Sequence, residues 1–169
     1  MSFTEISTLG QNYFSFQIDR IPNVIYYTQE VNLPSLVLET QDQPTTLGIP
    51  IKRPIGSYRF DNLALTFLVD EKMTNWLEIY KWMRHLGNID TDYQNNQLDF
   101  ENWETMAYLT LTKGTYNDLN KVIFHNLFPI SISGLKFATD SSTHVVQKAT
   151  AIFAYTYYSF DPDPGNITS

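Results

Sequence analysis

QPTTLGIPIKRPIGSYRF, residues 43–60, runs without interruption into DNLALTFLVDE, residues 61–71. The second piece alternates: Leu63, Leu65, Phe67 and Val69 fall on one side of an extended chain, and Asn62, Ala64 and Thr66 on the other. Successive side chains of a strand point to opposite faces, so this is a strand with one buried face. The first piece carries Leu47, Ile49, Ile51, Ile55, Tyr58 and Phe60, yet Pro44, Pro50 and Pro54 punctuate it. Proline has no N–H for a ladder and is confined to edges, bulges and turns. The reading is an arm, residues 41–58, that projects as a long loop. An apolar, proline-broken segment of this length is uncommon inside a compact domain and is usually functional. Its apolar side chains seek a surface outside their own domain, which points to assembly rather than catalysis. The bland alternative is an ordinary surface loop with scattered apolar residues.

Outward from this segment, strands dominate. Tyr13 to Ile18 alternates, with Phe14, Phe16 and Ile18 on one side. Val24 to Leu33 reads as a second strand ended by Pro34, and Leu36-Val37-Leu38 as a short third. Tyr58 to Val69 reads as the longest early strand. Met73 to Leu86 predicts a single helix, capped by Asp70 or Thr74 and closed by Gly87 in a left-handed conformation. Met73, Trp76, Leu77, Tyr80 and Met83 form its apolar face, flanked by Ile79 and Leu86. Trp82 lies farther round. It is either a contact for another molecule, since Trp is enriched at interface hot spots, or a sign of a helix buried on both flanks.

Asn88 to Glu104 is polar and reads as a long loop. Strands follow at Thr105–Thr112, at Lys121–Phe128 (stopped by Pro129) and at Ile130–Phe137. His144 to Phe160 reads as one long aromatic strand. Residues 161–169, DPDPGNITS, read as a loose C-terminal tail. The fold class is mainly β: one domain over residues 1–169, a two-sheet β-sandwich or barrel with one α-helix and the projecting arm.

Composition narrows the function classes. The chain has 169 residues, enough for one domain that hides roughly 70% of its unfolded surface. Three Trp, eleven Tyr and eleven Phe favour strands and interfaces. Cysteine is absent, so there is no disulfide framework and no thiolate metal site. The first residues, MSFTEISTLGQNYF, lack a basic region followed by an apolar run, so no secretory signal is read. No stretch approaches the ~20 apolar residues of a membrane-spanning helix, so no membrane partner is expected. A net charge of −7 argues against general affinity for duplex DNA, though an acidic wall would let DNA slide past. Charged residues are only 17% of the chain, against roughly 25% in soluble domains, and subunit packing is one way to lose charged surface.

The chemistry-bearing residues are sparse. Asp70-Glu71 suits the positive end of a helix dipole better than an acid/base pair. Asp90/Asp92 and Asp161/Asp163 lack the spaced ligands and closing Glu of a calcium loop. His85, His125 and His144 are scattered, with no His-Glu-x-x-His, no Gly-x-Ser-x-Gly elbow and no phosphate loop. Asn166-Ile167-Thr168 matches a glycosylation sequon without a secretory context. No catalytic, metal or cofactor site is expected. Arg53 and Arg59 either pair with carboxylates of a neighbour or stay solvated, where an exposed ion pair contributes only ~0–1 kcal/mol.

The order of the pieces is itself informative. YFSFQI is followed by VNLPSLVLETQDQP with its leucine–proline kink. Then come the arm and its exit GSYRFDNLALTFLVDE, the helix with WLEIYKW, FHNLFPISISGLKF, the turn DSST and VVQKATAIFAYTYYSF. This series resembles the tail tube protein family of contractile-tailed bacteriophages, a fold similar to the type VI secretion tube protein. The resemblance implies hexameric rings whose strands build an inner barrel around a DNA-conducting lumen, with no chemistry carried out. It implies an arm that reaches a neighbouring subunit or the next ring; the residues themselves make Leu47, Ile49, Ile51, Tyr58 and Phe60 the expected anchors of that inter-subunit arm, with Arg53 and Arg59 as ion-pair candidates and Trp82 as a candidate helix contact. Implied partners are sister copies, the tail sheath, and baseplate or terminator proteins. The implied location is the virion tail after synthesis in host cytoplasm. A specialised end ring, either a baseplate tube initiator or a tail terminator, remains open beside the main tube subunit. So does a small β-rich ligand-binding domain or enzyme, which would need a pocket with convergent polar groups.

Overall fold

A computed structural model of the protein describes residues 14–22, 27–46, 48–87, 103–113, 117–137 and 146–161. In chain order these form β1 (Phe14–Ile18), β2 (Thr28–Val31), β3 (Leu36–Gln43), β4 (Ile51–Phe60), β5 (Leu63–Leu68), α1 (Thr74–Leu86), β6 (Thr105–Lys113), β7 (Asn117–Ile132), β8 (Lys148–Ala154) and β9 (Tyr157–Asp161). Seven strands make one antiparallel sheet in the order β1-β6-β7-β8-β5-β2, with β9 also paired to β7. β3 and β4 pair only with each other.

The sheet is bent into two layers, and β7 belongs to both. Its first part pairs with β6 and β9, and its last residues, from Phe128 to Ile132, pair with β8. The corner is Asn126, at φ 58 in the left-handed region, where the β6–β7 register also slips. Asparagine is among the few L residues that tolerate this region. The neighbouring strand turns with it: β8 stops at Ala154, β9 begins at Tyr157, and the Thr156 N–H donates to the His125 carbonyl at 3.0 Å. The single strand expected from His144 to Phe160 is therefore two strands, split where the layers meet. Proline does not stop β7 as expected: Pro129 sits at a register shift opposite Phe153, a position that asks little of a missing N–H.

One core fills the space between the layers. Phe16 and Ile18 of β1, Ala107 and Leu109 of β6, and Val122 and Phe124 of β7 come from one side. Leu63, Leu65 and Phe67 of β5 with Ala149, Ala151 and Phe153 of β8 come from the other. Here the sequence alternation holds residue for residue. Cross-strand partners match large with small, Leu65 opposite Ala151 and Phe67 opposite Ala149. Each fully buried Leu or Phe contributes about 1.5–3 kcal/mol.

α1 packs on this core with a different stripe from the one its spacing suggests. Asn75, Ile79 and Trp82 are buried, whereas Leu77 and Tyr80 are more than one-third exposed. The rotation follows from hydrogen bonds at the helix start. The Asn75 amide donates to the Leu68 carbonyl at 2.8 Å, and the Asp70 carboxylate accepts the Asn75 N–H at 3.2 Å. The Trp76 indole N–H donates to the Ser133 carbonyl at 3.1 Å. Gly87 closes the helix at φ −83, not in the left-handed region expected of it.

The corner generates a direct test. Asn126→Val is expected to lose about 1–2 kcal/mol of unfolding free energy, because a β-branched residue is strained at this φ, while Asn126→Gly stays close to the parent. Urea unfolding of the two variants measures the difference.

Candidate assembly interface

The arm is a β-hairpin, not the loop expected from its prolines. β3 and β4 pair antiparallel from Leu36↔Phe60 to Gln43↔Ile51, with a register shift between Leu38↔Tyr58 and Thr40↔Pro54. That shift sets Ile55, Gly56 and Ser57 of β4 against Glu39 alone, and Gly56 there adopts φ 76, a conformation open to glycine. Pro54 fits because in a two-stranded ladder every strand is an edge. At the tip the Thr45 hydroxyl donates to the Ile49 carbonyl at 2.6 Å, and the Gly48 N–H donates to the Thr45 carbonyl at 3.1 Å. The continuous strand expected from Tyr58 to Val69 is broken at Asp61-Asn62, which separates hairpin from body.

The hairpin carries apolar side chains that the described residues do not cover. Leu36, Leu38, Ile49, Ile51, Ile55 and Tyr58 are all exposed, Ile49 at 72% and Tyr58 at 59%. An isolated two-stranded hairpin is marginal in water, and unpaired edges invite further pairing. Lys52, Arg53 and Arg59 stand on the hairpin beside the carboxylates Glu39 and Asp42, with Asp42 directly opposite Lys52 in the register.

At its root the hairpin is fastened to the body. Phe60 is only partly exposed, its ring centroid 4.9 Å from Tyr158 and 5.8 Å from Tyr155, and both of these rings touch buried Phe124. The Ser35 hydroxyl donates to the Asp61 carboxylate, and the Asp61 N–H returns a bond to the Ser35 carbonyl at 3.1 Å. The Tyr155 hydroxyl donates to the Asp61 carbonyl at 2.9 Å. Burial first, then Tyr158 and Asp61, push the Tyr155 phenol well above the usual tyrosine range.

The expected arm residues thus divide. Ile49, Ile51, Arg53, Tyr58 and Arg59 stand together on the exposed hairpin, Phe60 serves its root, and Leu47 lies outside the described residues. Trp82 is not an exposed helix contact. It is 3% exposed in its own chain, with its indole N–H on the Trp103 carbonyl at 3.3 Å and Arg20 over its ring. Of the expected tail, Asp161 is instead the last residue of β9 and residues 162–169 lie outside the described set. Sequence reasoning missed Leu36 and Leu38 as arm residues. The signal was present, as an apolar run between Pro34 and a polar stretch. Among the described residues no group of acidic or histidine side chains could hold a metal ion, and no helix is long and apolar enough to cross a membrane.

The outer face of the second layer differs in kind. Its side chains are mixed: Ala64, Thr66 and Leu68 of β5 and Lys148, Thr150, Ile152 and Ala154 of β8, with the Thr66 and Thr150 hydroxyls 3.2 Å apart.

Residues 2–161 match the family model for phage tail tube protein. The chain belongs to the phage tail tube protein family. The tail tube terminator protein of Enterobacteria phage T4 is 25% identical over 138 residues, which span 80% of this chain and 77% of that protein. A chain of the PVC sheath-tube complex, from an extracellular contractile injection system in its extended state, superposes with a TM-score of 0.65 at 16% identity. It covers 92% of this chain and 93% of that one. A chain of the PVC sheath/tube terminator in its extended state gives 0.61 at 20% identity, covering 93% and 99%. As a tail tube family member the chain is a structural component of a virion tail, not an enzyme.

The raised Tyr155 phenol makes a pH prediction. The folded state holds this proton more tightly than the unfolded chain, whose tyrosines titrate near 10. The associated stability is therefore complete below about pH 10 and falls as pH rises toward the folded value. Urea unfolding between about pH 9 and 11.5 is expected to show a steeper loss for the parent than for Tyr155→Phe.

Proposed function

We propose that this tail tube family protein is a tube terminator: copies close into a hexameric ring that ends the tube, and the genome passes through the lumen. The observation that carries the reading is the β3–β4 hairpin, which holds exposed apolar side chains away from the body. Such a segment is completed by docking on a sister copy, where Ile49, Ile51 and Tyr58 leave water and Arg53 and Arg59 meet carboxylates. Similarity to the phage T4 tail tube terminator supports an end ring over a repeating tube subunit.

The sheet supplies a second means of closure. β2 and the last residues of β7 each have a strand partner on one side only among the described residues. Pairing β2 of one copy with β7 of the next continues the second layer around a ring and removes both edges. The face carrying Thr66, Thr150, Ala64 and Ile152 then lines the lumen. That face carries the single cation Lys148 among uncharged side chains, on an acidic chain, which suits a wall that DNA passes without binding, because displacing counterions takes clustered cations. The outer surface is left for sheath, baseplate or other terminator proteins.

Electron micrographs of the purified protein are the test. Closed rings that do not elongate agree with a terminator. Filaments of variable length would reassign the chain to the repeating tube subunit, and a strict monomer at high concentration would refute ring formation. Ile49→Asp combined with Ile51→Asp is expected to abolish rings while leaving the monomer's circular dichroism and melting temperature unchanged, since neither side chain belongs to the core.

A further inference from the structure

The root of the hairpin is built more elaborately than its connection to the body requires. The hairpin adds no residue to the buried core, and neither of its strands pairs with the main sheet. Two covalent connections, at Ser35 and at Asp61, would leave it free to swing. Instead four separate contacts converge there. Phe60 is inserted against Tyr155 and Tyr158, the Ser35 hydroxyl holds the Asp61 carboxylate, the Asp61 N–H holds the Ser35 carbonyl, and the Tyr155 hydroxyl holds the Asp61 carbonyl.

The rings form a continuous path. Phe124, fully buried, touches Tyr155 at 5.2 Å and Tyr158 at 5.9 Å between ring centroids. These in turn touch Phe60, which meets the exposed ring of Tyr58 edge-on at 5.5 Å. Tyr155 lies in the interruption between β8 and β9, so the residue that reaches Asp61 sits where the sheet turns.

We propose that this clasp sets the angle at which the hairpin leaves the body, and that Tyr155 and Phe60 are positioning residues for assembly. The proposal rests on reading the hairpin as the inter-subunit arm. A flexible arm must be ordered at the moment it docks, and holding it in the docking geometry beforehand removes that cost from association. In a closed ring the same angle recurs at every interface. A swinging arm would admit open or irregular assemblies, and a fixed one favours closure.

The test uses the full chain with Tyr155→Phe, Phe60→Ala and Phe60→Tyr. Hydrogen exchange of the free protein reads the hairpin amides of β3 and β4 against the core amides of β5 and β8, and sedimentation reads the concentration at which rings form. Tyr155→Phe, which deletes one hydrogen bond, is expected to speed hairpin exchange with core exchange unchanged, and to raise the ring-forming concentration roughly fivefold. Phe60→Ala is expected to raise it by more than about tenfold, and Phe60→Tyr, which keeps the ring, to restore it. Hairpin exchange and assembly at parental values in both Tyr155→Phe and Phe60→Ala overturn the clasp while leaving the terminator reading intact. A parent protein that never forms rings removes the terminator reading and the positioning role together, even where hairpin exchange still responds.

Discussion

The structure depends on a bend that two neighbouring strands make together. β7 turns at Asn126, and the strand beside it breaks between Ala154 and Tyr157, with the Thr156 N–H bonded across the corner to the His125 carbonyl. Without this corner Phe128 to Ile132 would extend the first layer. β8, β5 and β2 would follow it outward as a flat continuation of the same sheet. The inward faces of β5 and β8 would then have nothing opposite them. With the corner, Phe153 and Phe67 face Phe124 and Phe16 across a common interior, and α1 closes one side with Ile79 and Trp82. Strands that switch layers through bends are a general way for sheets to wrap a core.

The same corner explains why this protein is complete as a fold yet incomplete as a surface. The core uses both inner faces of the sheet, and it leaves β2 and the end of β7 as one-sided strands. It leaves the hairpin outside altogether, carrying isoleucines, leucines and a tyrosine in water. A single domain tolerates scattered exposed apolar residues, but here six of them, Leu36, Val37, Leu38, Ile51, Ile55 and Tyr58, gather on one two-stranded element. Membership of the tail tube family makes the chain that carries this surface a component of a virion tail. The aromatic root then links the two halves of the molecule: rings that begin in the core at Phe124 end at Tyr58 on the arm.

Much of the body was legible from alternation. Leu63, Leu65 and Phe67 were assigned to the buried face of a strand from spacing alone, and all three are buried. The helix and the acceptor at its start, Asp70, were equally readable, because capping and amphipathic spacing are local properties, but the stripe it buries was not. The arm was legible as an apolar segment set apart, but its conformation was not. Proline argued against a ladder, and the argument fails in a two-stranded hairpin, where an outer edge needs no N–H. Tyr157 shows the same limit. It shares its parity with buried Phe153 and would point inward in a continuous strand, but the break at Tyr155-Thr156 resets the alternation and leaves it exposed.

The sequence by itself determined which residues are apolar, where they alternate, and that one apolar segment is chemically separated from the rest by proline and glycine. Those properties belong to each residue and its immediate neighbours, so no partner is needed to read them. Only the tertiary structure decided which strand would bend, which stripe of the helix would face inward, and that Phe60, Asp61 and Tyr155 would meet. Those outcomes come from residues up to 94 positions apart competing for the same partners, as the Tyr155–Asp61 bond does. A competition between distant parts of the chain is settled by packing, where local preference has no vote.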